Sequence, residues 1–301
     1  MERDAVIVEV GINEGISRAH HPHVPITPEE IAVDAQRCEA AGASVVHWHA
    51  RDPETGEQRA ADADLYGAAL DQMRVRSSVV AYPTYPTQPA DSIEERLGHC
   101  WILRERYGLE VAPIDIGSVN VITWDEDASD FVGAVDTLAG RTVVQNSLGF
   151  TLTALARFDE LGLQPSVAAF DVGFTRTMVN LTRAGRLRQP VFFKIFLMGS
   201  WAVGPAPDVA ALEFHLHQIP DDIDVEWMVV PYTVSDPATV ERLCRRALEL
   251  GGNVRVGVGD NPAAHPSRTN ARLVEDVACW ADDAGRPLAT ATDVRNRFAL
   301  A

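Results

Sequence analysis

Apolar and polar positions change period repeatedly along the chain, dividing it into short extended runs and longer helical ones. Extended runs fall at Ala5–Val10, Ser44–His49, Ser78–Tyr82, Val111–Ile116, Ser166–Asp171, Val191–Met198, Val225–Val230 and Val254–Val258. Helical periodicity fills the intervals at Pro28–Ala41, Asp62–Arg74, Asp91–Tyr107, Ala128–Leu138, Thr151–Leu161, Phe174–Gly185, Pro207–Gln218, Pro237–Leu250 and Thr269–Ala284, with Ala291–Phe298 last. Thr142–Gln145 reads as a short extra strand. The first helix carries its own end signals: Thr27 as N-cap, Pro28 in the first position, Glu30 completing a capping box and Gly42 as the stop. Eight strands alternating with helices over about 260 residues is the count of a (β/α)8 TIM barrel. The expectation is one such domain over residues 1–301. An open doubly wound sheet is the rival, but it needs a phosphate loop, and Gly11-Ile12-Asn13-Glu14-Gly15 does not complete G-x-G-x-x-G.

Composition narrows the partners. Of 301 residues 46% are hydrophobic, enough for a sizeable core, yet no charge-free apolar run of 18 residues exists to span a membrane. Met1-Glu2-Arg3-Asp4 leads straight into an extended run and lacks the pattern of a signal peptide. The four cysteines form no close pairs; Cys38, Cys244 and Cys279 sit in helical segments and read as reduced core residues of a cytoplasmic protein. A net charge of −17 argues against nucleic acid and anionic membranes, and means that an anionic substrate needs local cationic help.

The densest chemistry lies at Val45-Val46-His47-Trp48-His49-Ala50-Arg51-Asp52. On a strand, residues i and i+2 share a face, so His47 and His49 stand together while Trp48 points away. Two neutral imidazoles so placed suit one divalent metal, zinc above all; hydrogen-bonded core histidines are the plain alternative. Polar residues also gather at other strand ends, where a barrel puts its chemistry. They include Glu9, Asn13 and Glu14 after the first, Tyr82 and Thr84 after the third, Asp115 after the fourth, Asp171 after the fifth, Lys194 on the sixth, Tyr232 after the seventh, and Asp260 and Asn261 after the eighth. Any one of them alone reads as a cap or a turn former; their convergence on one face favours a site.

Several stretches carry a family resemblance. Val24–Ile31, Glu39–Ala43, Val45–Asp52, Val254–Asn261, Thr269–Val274 and Gly285–Thr290 resemble the β-keto acid cleavage enzymes, which include 3-keto-5-aminohexanoate cleavage enzyme. The resemblance spans nearly the whole chain. It implies a TIM barrel, a zinc ion, a homotetramer, and a reaction of a β-keto acid with acetyl-CoA that gives acetoacetate and a new acyl-CoA. Carried over residue by residue, His47 and His49 match the two zinc histidines, and Arg255 and Asp260 match a proton-transferring pair. Glu14 matches a first-loop glutamate that meets a substrate amino group.

The sequence also departs from the family pattern. The third zinc ligand of the family is a glutamate just before the Asp of the eighth strand, and here that place is Gly259. Ala81-Tyr82-Pro83-Thr84-Tyr85-Pro86 stands where the family often shows Ser-Thr-Gly-Gly, and Glu9 stands where it has a small residue. In a closed barrel the first strand lies between the eighth and the second, so a carboxylate lost from the eighth can be supplied from the first. Glu9 is therefore the expected third ligand, with Glu14 second and Asp260 third. The alternative for Glu9 is a buried ion pair with Arg255 or Lys194, since a lone buried glutamate is costly. The expected substrate-binding residues are Glu14, Tyr82, Thr84 and Asp115. Two further readings stay open: a metal-dependent aldolase or hydrolase that uses no CoA, and a metal-free barrel that binds a small acid.

Overall fold

The computed structural model describes residues 4–87, 92–132 and 143–300. Eight parallel strands form one curved sheet: β1 (Val8–Gly11), β2 (Val45–Trp48), β3 (Val80–Pro83), β4 (Val111–Asp115), β5 (Gln164–Ala169), β6 (Val191–Met198), β7 (Val225–Tyr232) and β8 (Asn253–Val256). Their order is β3-β2-β1-β8-β7-β6-β5-β4. β3 and β4 lie side by side, so the sheet is a nearly closed (β/α)8 TIM barrel. β1 is held in register on both flanks, Glu9 opposite Arg255 on β8 and Gly11 opposite His47 on β2. That register brings the expected site residues of three strands to one end.

Helices α1 (Pro28–Ala41), α2 (Ala63–Arg76), α3 (Ile93–Tyr107), α4 (Leu148–Leu161), α5 (Val172–Arg183), α6 (Val209–His217), α7 (Pro237–Glu249), α8 (Asn270–Asp283) and α9 (Ala291–Phe298) surround the sheet. α1 begins as its sequence dictates: Glu30 N donates to Thr27 Oγ1, the Glu30 carboxylate accepts from Thr27 N, and Gly42 closes the helix at φ 118°. Ile31, Ala32, Ala35 and Cys38 form its buried face. Valine, isoleucine, leucine and phenylalanine from the strands fill the core, with Phe192, Phe193 and Ile195 fully covered.

Two expectations need correction. Asp130–Val132 is not helical but pairs antiparallel with Thr123–Asp125 as a hairpin; the remainder of the expected Ala128–Leu138 helix, residues 133–138, lies outside the described residues. Aromatic Trp124 and Phe131 face one another across this hairpin at 5.2 Å, a local pairing that outweighs weak helical periodicity. Cys279 is exposed, not core. His215 on α6 is fully buried, and its Nδ1 meets the Thr175 hydroxyl at 2.6 Å. Among the described residues no helix is long and apolar enough to cross a membrane.

Candidate active site and metal centre

The site is built where β1 ends. A Cβ on Gly11 would lie 2.5 Å from Asp260 Oδ1 and 2.7 Å from Arg255 Nη2, so the strand end must be bare for that pair to lie across it. The chain then turns through Glu14, which takes the left-handed region at φ 36°. Arg51 secures the turn by donating to the carbonyls of Asn13 and Glu14. Asn13 ties it to β2, donating to His49 O at 3.0 Å and accepting from His49 N at 2.8 Å.

These ties carry the Glu14 carboxylate to the two histidines. His47 Nε2 lies 3.5 Å from Glu14 Oε1 and His49 Nε2 lies 3.3 Å from Glu14 Oε2. Glu14, His47 and His49 are all buried, and one donor atom from each falls within 4.8 Å of the others. Trp48 points away, fully buried against Tyr66. The carbonyl of Tyr82, an acceptor only, accepts a hydrogen bond from His47 Nδ1–H at 3.2 Å and leaves the Nε2 lone pair facing Glu14. Burial, with Arg255 and Lys194 adding to it against the pull of Glu14, holds His47 well below its ordinary value, so the ring is neutral. His49 has both ring nitrogens buried without a hydrogen-bond partner; its approach to Glu14 is not aligned for one. Burial works to raise the Glu14 carboxyl, but the Arg255 charge beside it prevails and holds it well below the usual carboxylate range. Two imidazoles and a carboxylate, with an unpartnered ring nitrogen among them, are a donor set that fits a divalent metal of the zinc kind.

Glu9 does not join this cluster. It is fully buried on β1, accepting from Tyr82 OH at 2.5 Å and from Arg255 Nη1 at 3.1 Å, with Lys194 Nζ also 3.1 Å away. This is the buried ion pair weighed above as its alternative, made with both cations at once. The reason is register: Glu9 faces into the barrel beside Arg255, below the strand end, whereas Glu14 lies beyond it. Gly259 completes the explanation, because a Cβ there would stand 2.7 Å from Glu14 Cγ and 2.8 Å from Glu14 N. The first-loop carboxylate fills the space next to residue 259.

Arg255 is shared. Its guanidinium donates to Glu9, to Glu14 and, from Nη2 at 2.7 Å, to Asp260. Burial pushes the Asp260 carboxyl up to about 7 against the pull of Arg255, with Glu14 and Glu9 contributing. Burial brings Lys194 down to about 8 despite Glu9. Asp260 sits fully covered behind Arg255, while Arg255 itself borders a cavity of 140 Å³. Glu14, His47, His49, Tyr82, Thr84 and Asp115 border the same cavity, so the expected metal-binding and substrate-binding residues, Glu9 apart, share one wall system. Other strand-end polar residues have local tasks: Asp171 caps α5, and Asn261 ties Pro231 to Val234.

Sequence reasoning assigned no role to Asn13 and Arg51, which shape the Glu14 turn, or to Ser166, Trp201 and Phe196, which also border the cavity. Arg51 follows the His-x-His pair directly, which was a usable signal. Trp201 had none, since it lies in a loop after β6.

Comparison with known proteins places the chain in a family. The family model for beta-keto acid cleavage enzyme matches residues 5–300. The chain is 25% identical over 323 residues to 3-dehydrocarnitine:acetyl-CoA trimethylamine transferase of Rhizobium meliloti, covering 100% of this chain and 98% of that protein. It is 26% identical over 290 residues to 3-keto-5-aminohexanoate cleavage enzyme of Fusobacterium nucleatum subsp. nucleatum, covering 95% and 94%. Among solved structures, apo ObcA superposes with a TM-score of 0.69 at 18% identity, over 93% of this chain and 66% of that one, a likeness of fold. With a barrel of this kind, a site at its strand ends and a family match over nearly its whole length, the chain belongs to the beta-keto acid cleavage enzymes.

Proposed function

We propose that this enzyme carries out a metal-dependent exchange between a β-keto acid and acetyl-CoA. The acyl group R–CO leaves C2 of the keto acid for the CoA sulfur, and the acetyl group takes its place, so the products are acetoacetate and R–CO–CoA. The observation that carries the metal part is the buried Glu14–His47–His49 cluster with its unpartnered His49 nitrogen. Acetyl-CoA rests on the family and on the names of the relatives. A homo-oligomer is part of the same proposal and rests on the resemblance.

Glu14, His47 and His49 would hold the ion, zinc being the one this set suits, and once bound it supplies Lewis acidity to the keto carbonyl and carboxylate. Arg255 and Asp260 form the proton-transfer pair. Asp260 does not border the cavity, so Arg255, which does, would pass the C2 proton to and from its carboxyl, and a carboxyl near 7 takes up and releases a proton at neutral pH. Tyr82 and Thr84 shape the floor beside the histidines, and burial shields the intermediate enolate from water.

The test pairs metal analysis with turnover. Protein purified without chelator should hold about one zinc per chain, and a panel of β-keto acids should yield acetoacetate only when acetyl-CoA is present. Product formation without acetyl-CoA would point instead to an aldolase or hydrolase.

A further inference from the structure

The wall of the cavity away from Glu14 and the histidines is aromatic. Phe170, after β5, meets Phe196 edge-on at 5.1 Å; Phe196 meets Tyr232 at 5.7 Å; Tyr232 meets Trp201 at 5.3 Å. All four border the cavity, together with Asp115 at the end of β4. Asp115 Oδ2 accepts from Tyr85 OH at 2.7 Å, and the other oxygen makes no hydrogen bond among the described residues. Apart from the two histidines, the described cations on this cavity are Lys194 and Arg255. Both are already engaged, Lys194 with Glu9 and Arg255 with Glu9, Glu14 and Asp260. No lining cation is left over to receive a second substrate carboxylate.

We propose that this wall holds the far end of the substrate, and that this end is a cation of the alkylammonium class, bound between aromatic ring faces and the Asp115 carboxylate. The inference rests on reading the cavity as a β-keto acid site. Ring faces attract an ammonium, and Trp and Tyr do so best. Phe196 already has Arg255 against it at 5.7 Å, which leaves Trp201, Tyr232 and Phe170 for a ligand. Rings alone would suit an uncharged tail equally well. The carboxylate decides between the two, because a buried acid with a free oxygen costs stability unless a cation meets it. Burial raises Asp115 to about 6 against the Tyr85 hydrogen bond and the more distant Arg96 and Lys194 charges, neither of which pairs with it, so it is ionised at neutral pH, and a bound cation would hold it so.

Equilibrium binding tests the tail site without turnover. Choline and its carbon isostere 3,3-dimethylbutan-1-ol are titrated by calorimetry into the native chain, Asp115→Asn and Trp201→Leu. Choline should bind at least about tenfold more tightly than the isostere. Asp115→Asn should abolish that margin, and Trp201→Leu should reduce it. Equal binding of the two probes, or a margin untouched by Asp115→Asn, overturns the proposal. Turnover of three β-keto acids with trimethylammonium, tert-butyl and carboxylate tails then ranks kcat/KM, expected highest for the first and lowest for the last. A choline margin without turnover of any of them upholds the tail site and rejects the proposed reaction.

Discussion

On the side built by β8, β1 and β2, Arg255 is shared by three carboxylates, and Lys194 reaches over from β6 to one of them. On the side built by β4 to β7, a single carboxylate, Asp115, stands beside rings and a tyrosine hydroxyl. The first arrangement is a closed network: removing any member strands a buried partner. The second is looser: its single carboxylate makes no ion pair among the described residues, and the Arg96 and Lys194 charges act on it only from a distance. Substitutions on the two sides should therefore differ in kind as well as size.

The largest effect belongs to the proposed metal cluster of Glu14, His47 and His49. His47→Ala and Glu14→Ala should each take zinc from about one per chain to near zero by elemental analysis, with activity lost. Retained zinc in Glu14→Ala would break the contrast by placing the ligand elsewhere. Next comes Glu9→Gln, which leaves Lys194 and Arg255 short of a buried anion. It should lower unfolding free energy by about 3–5 kcal/mol in urea titration while zinc content stays constant. Lost zinc with unchanged stability would make Glu9 the ligand after all. Gly259→Ala should cost about 1–3 kcal/mol by overpacking against Glu14 and weaken zinc binding, read by chelator competition.

The smallest effect lies on the looser side. The Asp115 carboxyl is raised from 3.8 to about 6, so between those values the folded chain keeps a proton that the unfolded chain has released. Its contribution is full below the lower value and is lost as pH rises through the upper one. Relative to Asp115→Asn, the native chain should thus lose at most about 3 kcal/mol between pH 4 and 7 in paired urea titrations. A flat difference would mean that burial does not raise the Asp115 carboxyl.

Much of this was legible beforehand because it is local. Period-2 and period-3.6 patterning gave the eight barrel strands and most of the helices, and His47-Trp48-His49 gave two members of the cluster. The third corner was not legible. Glu9 and Glu14 are five residues apart on one stretch, and nothing local says which carboxylate rises to the histidines. The aromatic wall was equally hidden, since its rings come from β6, β7 and the connections after β5 and β6, far apart in the chain.

The sequence by itself determined the alternation, the caps and the strand on which His47 stands, because each depends on neighbours within a few residues. Only the tertiary structure decided which carboxylate meets the histidines. Barrel register sets Glu9 opposite Arg255, and the Asn13–Arg51 ties, with a bare Gly259, bring Glu14 to the strand ends. Contacts across residues 9, 14, 194, 255 and 260 are set by strand order and stagger, quantities that no short window of sequence contains.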